Sequence, residues 1–167
     1  MFDPAARSGL MRSIKSKNTQ PEVWVFREMR RRRIWFQPNY GRAPGSPDLA
    51  RPRDRRAVFI DGDFWHGREL NRVVARYGAD SEWAKKLKRN IERDREVDAT
   101  LLADGWHVLR VWESDLRRLS TRDAVFEVIA DFLGPSRLSA GLETVSRPVV
   151  RTFEPEETAG PKSRGPT

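Results

Sequence analysis

Apolar positions along this chain fall into two rhythms, one helical and one of short extended runs. The first helical stretch follows "NTQPE". Thr19 is placed as a cap, Glu22 lies three residues on, and Pro21 is tolerated in a first turn. Val23, Phe26 and Met29 then recur with a partial helical period, predicting a helix to about Arg33. "IWFQPNY" predicts a short strand stopped by Pro38, "GRAPGSP" a loop, "DLARP" a short strand and "RPRDRR" a turn. "AVFIDGDF" begins as a continuous apolar run, the pattern of a strand buried on both faces. Residues 68–80 show no period and read as irregular. Ser81 to Ala103 predicts a long helix, its buried stripe marked by Trp83, Leu87, Ile91, Val97, Leu101 and Leu102, with Gly105 as the C-terminal cap. "WHVLRVWE" is a third strong strand, and "STRDAVFEVIADFLG" a last helix capped by Ser120 or Thr121 and ended by Gly134.

The order is helix, three strands, helix, strand, helix. A strand–helix–strand crossover makes two of the strands parallel, so an α/β fold is expected: a mixed sheet with helices on its faces. Residues 1–18 form a basic N-terminal arm and 19–134 one domain. Residues 135–167, rich in Pro, Gly, Ser and Thr, are expected to be a disordered tail, within which "RPVVRTF" is able to dock as a strand.

Composition narrows the function classes. Of 167 residues, 38% are apolar and 34% charged. The apolar runs are too short to cross a membrane and no secretory h-region precedes them, so a soluble cytoplasmic protein is expected. There is no cysteine, which excludes disulfides, thiolate metal sites and a Cys nucleophile. The net charge is +8, and residues 1–33 alone carry nine Lys/Arg against three Asp/Glu. That bias points to a polyanion, because neutralising phosphates releases counterions; a basic amphipathic membrane helix is not evident.

The chemistry concentrates in "SPDLA" and "IDGDFWHGR". Asp48 starts one short strand, and Asp61 and Asp63 end the next. If the two strands are neighbours, these carboxylates converge, and a hard divalent cation such as Mg²⁺ is a reason for them to do so. The competing reading makes Asp61-Gly62 a plain turn with Asp63 solvated. His66 follows, able to move a proton near neutral pH. Glu22 is either a helix cap or a carboxylate that orients water. Phe64 and Trp65 either pack at a rim or act as a wedge between bases, with Met11 of the basic arm as a second wedge. Arg12, Lys15 and Lys17 are candidate phosphate contacts.

Taken together, "RSGLMRSIKSKNTQPE", "GSPDL", "AVFIDGDFWHGR" and "EWAKKLKRNIERDREVDATLLADGWHVLRVWESDL" resemble the very-short-patch repair (Vsr) DNA mismatch endonucleases, from about Arg7 to Leu133. The resemblance implies a restriction-endonuclease-like mixed central sheet flanked by helices, and a Mg²⁺-dependent nick (Mn²⁺ able to substitute) 5′ to the T of a T:G mismatch in double-stranded DNA. It implies metal binding by Asp48 and the Ile60 carbonyl, a water-holding Glu22, a catalytic His66, and intercalation by Phe64, Trp65 and Met11. It also implies a functional link to a cytosine DNA methyltransferase and a monomer. Two departures stand out. The family's first motif His is Asp61 here, a group able to ligate metal or activate water but not to stabilise phosphate charge. The family's structural zinc, held by Cys and His, falls on Asp63, Arg68, Leu70 and Ser114, which cannot form a thiolate site, so no zinc is expected and segment 67–80 is left to packing or mobility. Three readings follow: a zinc-free mismatch-nicking enzyme, the same fold turned on other DNA in restriction or phage defence, and a catalytically weak DNA-binding module. Asn90, Arg93 and Asp94 match family positions and are expected mainly to make structural hydrogen bonds.

Overall fold

The computed structural model describes residues 17–63, 66, 68 and 70–134, and the backbone of 151–153. Its elements in chain order are α1 (Gln20–Arg31), β1 (Gln37–Pro38), β2 (Leu49–Arg51), a 3₁₀ turn (Pro52–Asp54), β3 (Arg56–Asp61), α2 (Leu70–Tyr77), α3 (Glu82–Ala103), β4 (His107–Trp112), α4 (Glu113–Arg117), α5 (Leu119–Leu133) and β5 (Arg151–Phe153). The sheet runs β1-β2-β3-β4-β5. Among the described residues only β3 and β4 are parallel, in register from Arg56 opposite His107 to Asp61 opposite Trp112; the other pairs are antiparallel. The crossover between the two parallel strands is α2–α3, the expected mixed α/β architecture.

Alternation along the central strands sorts side chains onto two faces. Val58, Leu109 and Val111 face α1 and α5, where Val25, Met29, Leu116, Ile129 and Leu133 close a fully apolar core. Ala57, Phe59 and Val108 face the other way, toward Leu101 and Val97 of α3. Asp61 and Arg110 follow Phe59 and Val108 by two residues, so strand geometry delivers both to the α3 side.

Local chemistry explains the element ends. Gly105 adopts φ +76°, and Trp106 N–H bonds back to Leu101 O while Gly105 N–H bonds to Leu102 O; the left-handed residue closes α3 as expected. Gly45 at φ +71° lets the loop before β2 lie against α3, where an added Cβ would fall 2.6 Å from Val97 Cγ1. That close approach sets the chain's entry into Asp48.

Several expectations need correction. The strand expected over "IWFQPNY" shrinks to Gln37–Pro38, at the sheet edge where proline's missing N–H costs no ladder bond. Residues 70–77, read as irregular, form α2, an amphipathic helix with one buried residue, Val73. The cap position of the last helix is Arg118, two or three residues earlier than read, with no side-chain cap there; Thr121 Oγ1 instead donates to Asp115 O at 2.7 Å. Within the segment read as a disordered tail, Arg151–Phe153 pairs with β4; the rest of 135–167, like residues 1–16, lies outside the described residues. In α3, Trp83 is exposed and the buried positions are Ala84, Leu87, Asp98 and Leu101. No helix among the described residues is long and apolar enough to cross a membrane.

Candidate active site

The C-terminal end of β3, the start of β2, the first turn of α1 and the middle of α3 meet around a cleft of about 490 Å³. Glu22, Asp48, Ile60, Asp61, His66, Arg93, Asp94 and Arg110 line it, with Lys17 at its edge. A second cleft of about 570 Å³, lined by Tyr40, Arg55 and Trp106, holds none of these groups.

Asp48 is brought here by the antiparallel β2–β3 pair. Its Oδ2 accepts the Ile60 N–H at 2.7 Å. A strand residue's N–H and C=O point to the same side, so the Ile60 carbonyl is also directed to the β2 side of β3. Burial pushes the Asp48 carboxyl up to about 7, and the nearby Glu22 and Asp61 charges push the same way; the Ile60 bond and His66 oppose them. A carboxyl so short of positive charge is a donor in want of a cation. Glu22, buried in the first turn of α1, accepts Asn18 N–H at 2.6 Å and Thr19 Oγ1–H at 2.8 Å. Glu22 thus fastens the helix start, as the cap reading expects, and also lines the cleft. Thr19 holds the cap position but donates to Glu22 instead of capping with its own oxygen.

His66 Nδ1 lies 2.7 Å from Asp94 Oδ2 and 3.6 Å from Asp61 Oδ1. Burial disfavours the imidazolium, but the Asp94 hydrogen bond and both carboxylate charges outweigh it and raise the ring's pKa. With Nδ1 held by Asp94, Nε2 is the nitrogen left for proton transfer. Asp61, 2% exposed, accepts from Arg110 Nη1 at 2.8 Å. Arg110 Nε donates to Asp98 Oδ1 at 2.9 Å, and its guanidinium carbon sits 4.3 Å from the Phe59 ring centroid. Much of the charge on Asp61, read as a metal ligand and catalytic group, is thus answered inside the protein.

The expected residues Glu22, Asp48, Ile60, Asp61, His66 and Lys17 converge on this cleft. Met11, Arg12, Lys15, Phe64 and Trp65 lie outside the described residues. Sequence reasoning missed Arg110 and Asp98 and assigned Asp94 only a structural bond. A signal was present: in α3, positions 84, 87, 91, 94, 98 and 101 form one continuous stripe, and two of its six residues are aspartates. Charges on an apolar stripe are costly unless a partner waits for them. Glu22 likewise falls on the α1 stripe with Val25, Phe26 and Met29.

Among the described residues no three His, Cys, Asp or Glu side chains form a cluster able to hold a metal ion by themselves. A divalent ion here would rest on Asp48 and the Ile60 carbonyl, with water and phosphate completing the shell, the usual habit of Mg²⁺. The four positions where the resemblance implies zinc do not fit that ion. They present a guanidinium, an aliphatic chain, a hydroxyl and one carboxylate, and the guanidinium of Arg68 already bonds the other two polar groups.

Comparison with known proteins identifies the family. Residues 1–72 match the family model described as DNA mismatch endonuclease Vsr. The chain is 36% identical over 137 residues to the Type II nicking enzyme V.NmeDIP of Neisseria meningitidis serogroup C, covering 80% of this chain and 93% of that one. It is 33% identical to the Type II nicking enzyme V.XorIIP of Xanthomonas oryzae pv. oryzae, covering 78% and 96%. To the DNA mismatch endonuclease Vsr of Escherichia coli K12 it is 30% identical, covering 86% and 94%. A DNA endonuclease is what the fold and these relatives define. The chain belongs to the Vsr family of DNA endonucleases and nicking enzymes.

Proposed function

We propose that this protein is a Mg²⁺-dependent endonuclease that nicks one strand of double-stranded DNA beside a T:G mismatch, Mn²⁺ being able to replace Mg²⁺. The observation that carries the reading is the undercompensated Asp48 carboxyl beside Glu22, the Ile60 carbonyl and His66 in one cleft. Relatives named nicking enzymes support a single-strand cut, and a relative named mismatch endonuclease supports the mismatch.

Asp48 and the Ile60 carbonyl would hold the ion, which supplies Lewis acidity at the phosphate when bound. Glu22, with lone pairs beyond its two accepted bonds, orients the attacking water. The water oxygen bonds to phosphorus and releases one proton to bulk water, the P–O bond to the departing sugar oxygen breaks, and that oxygen takes up a proton. His66 Nε2 is the donor placed for it, because the Asp94 hydrogen bond and the Asp94 and Asp61 charges favour the protonated ring. Asp61 acts through His66 and stays paired with Arg110. Phe64 and Trp65 wedge the base stack beside the mismatch, with Met11 entering from the other groove, while Arg12, Lys15 and Lys17 meet phosphates. The protein works as a monomer in the cytoplasm, in partnership with a cytosine DNA methyltransferase whose deaminated product it corrects.

The test uses one labelled duplex in T:G-mismatched and matched forms, with Mg²⁺, Mn²⁺ or EDTA. Mismatch-dependent, metal-dependent nicking that Asp48→Ala abolishes is expected. Equal cutting of the matched duplex would reassign the enzyme to other DNA, as in restriction or phage defence. Tight binding without cutting in either metal would reduce it to a binding module.

A further inference from the structure

Just past β3 the chain builds a second polar cluster, away from the Asp48 carboxyl. Arg68 Nη1 donates to Asp63 Oδ1 at 3.1 Å, Ser114 Oγ at 2.8 Å and Asp115 Oδ2 at 3.2 Å, and Nη2 reaches Asp115 Oδ1 at 3.5 Å. Ser114 returns two bonds to Asp63, from Oγ to Oδ1 at 2.6 Å and from its N–H to Oδ2 at 3.0 Å. The guanidinium also lies 5.5 Å from the Trp112 ring centroid. Asp115 is 3% exposed. A buried carboxylate beside a second carboxylate requires a cation, and a forked guanidinium meets both with directed bonds.

The cluster ties three pieces of chain: the turn after β3, the residue two before α2, and the start of α4. His66 lies between Asp63 and Arg68, so a clasp at both flanks limits where its ring sits. We propose that Arg68 is a built-in cation clasp standing where related proteins are expected to hold a structural zinc ion, and that it positions His66 without any metal at this place. An ion at the same locus would meet the positive charge of Arg68, the hydrocarbon of Leu70 and no thiolate. The clasp substitutes one internal cation for an external one and leaves the fold independent of zinc supply.

Three measurements test this on the full chain. Protein grown with added zinc should carry no stoichiometric zinc, and prolonged treatment with a zinc chelator should leave the melting temperature unchanged; bound zinc whose removal melts the protein overturns the proposal. Arg68→Met should lower the melting temperature by about 5 °C or more, with Arg68→Lys recovering part, since an ammonium is a point charge without the fork. At a temperature where the variant is folded by circular dichroism, its single-turnover nicking rate should fall by roughly 10-fold or more with DNA affinity little changed. An unchanged rate overturns the positioning role. The third measurement is independent of nicking and reads metal binding directly. The combined variant Asp63→Cys, Arg68→His, Leu70→Cys, Ser114→Cys should bind one Co²⁺ with the absorption of a tetrahedral thiolate site and become chelator-sensitive. Failure to bind Co²⁺ would show that the clasp does not occupy a metal-compatible locus.

Discussion

Two groups of carboxylates flank the end of β3, and they are answered differently. Around Arg68, Asp63 and Asp115 meet a cation supplied by the chain itself. Around Asp48, burial and the charges of Glu22 and Asp61 oppose ionisation, and the carboxyl is pushed up to about 7. Between them, Arg110 closes Asp61 and Asp98 into a buried ion pair. The same residue type thus serves as glue in one place and as a site in another. The difference lies in whether a partner cation is built in.

The largest expected effect follows from removing the uncompensated carboxyl. Asp48→Asn should lower the nicking rate on the order of 10³-fold or more, the loss of several kcal/mol of charge stabilisation. The same substitution should leave folding intact or raise the melting temperature without added metal, because it deletes a charge that the fold opposes. Loss of both activity and stability would place Asp48 with the glue and collapse the contrast. Arg110→Met should do the opposite. Leaving Asp61 and Asp98 buried without their cation should cost roughly 3 kcal/mol or more in urea unfolding. Adding Asp61→Asn and Asp98→Asn to that variant should recover most of the loss; if it does not, Arg110 matters by its packing on Phe59 and not by charge.

The contrast also has a pH signature. Asp48 holds its proton up to about 7 in the folded protein but ionises near 3.8 when unfolded. Between those values the native state binds more protons, so the Asp48 contribution to stability falls as pH rises and the penalty is complete above about 7. His66, raised by its two carboxylates, contributes stability that is complete below its ordinary value of 6.5 and is lost as pH rises through its higher folded value. In EDTA, the melting-temperature advantage of Asp48→Asn over the parent should therefore widen from pH 4 to pH 7. A constant difference across that window would mean that Asp48 is not held away from its ordinary carboxyl behaviour.

These features were unequally legible in the chain. The central strands β3 and β4, and the long helices α1 and α3, announce themselves because burial on one or both faces writes a period into the sequence. The helix α2 buries only Val73 and β5 spans three residues, so neither writes one. The placement of Asp48 beside the end of β3 could be read from the β2–β3 neighbourhood. Arg110 could not be, because "HVLRVW" looks like a strand with one charged interruption, and only the parallel register with β3 shows that Asp61 waits beside it. The Arg68 clasp spans 52 positions from Asp63 to Asp115, a separation at which no local pattern can report pairing; the absence of cysteine said what the segment lacked and not what replaced it.

The smallest expected effect sets the scale for the cations that are left free to meet DNA. Lys17 is exposed at the edge of the cleft, unlike Arg68 and Arg110, whose guanidinium groups are spent within the protein. If it contacts one phosphate, Lys17→Ala should weaken duplex binding a few-fold, alike for matched and mismatched DNA, and reduce the slope of log affinity against log salt by about 1. Melting temperature should not change, since exposed charges contribute little to folding. A change in mismatch preference with an unchanged salt slope would instead put Lys17 against a base, and the division between cations kept for the fold and cations offered to the phosphate backbone would have to be redrawn at this residue.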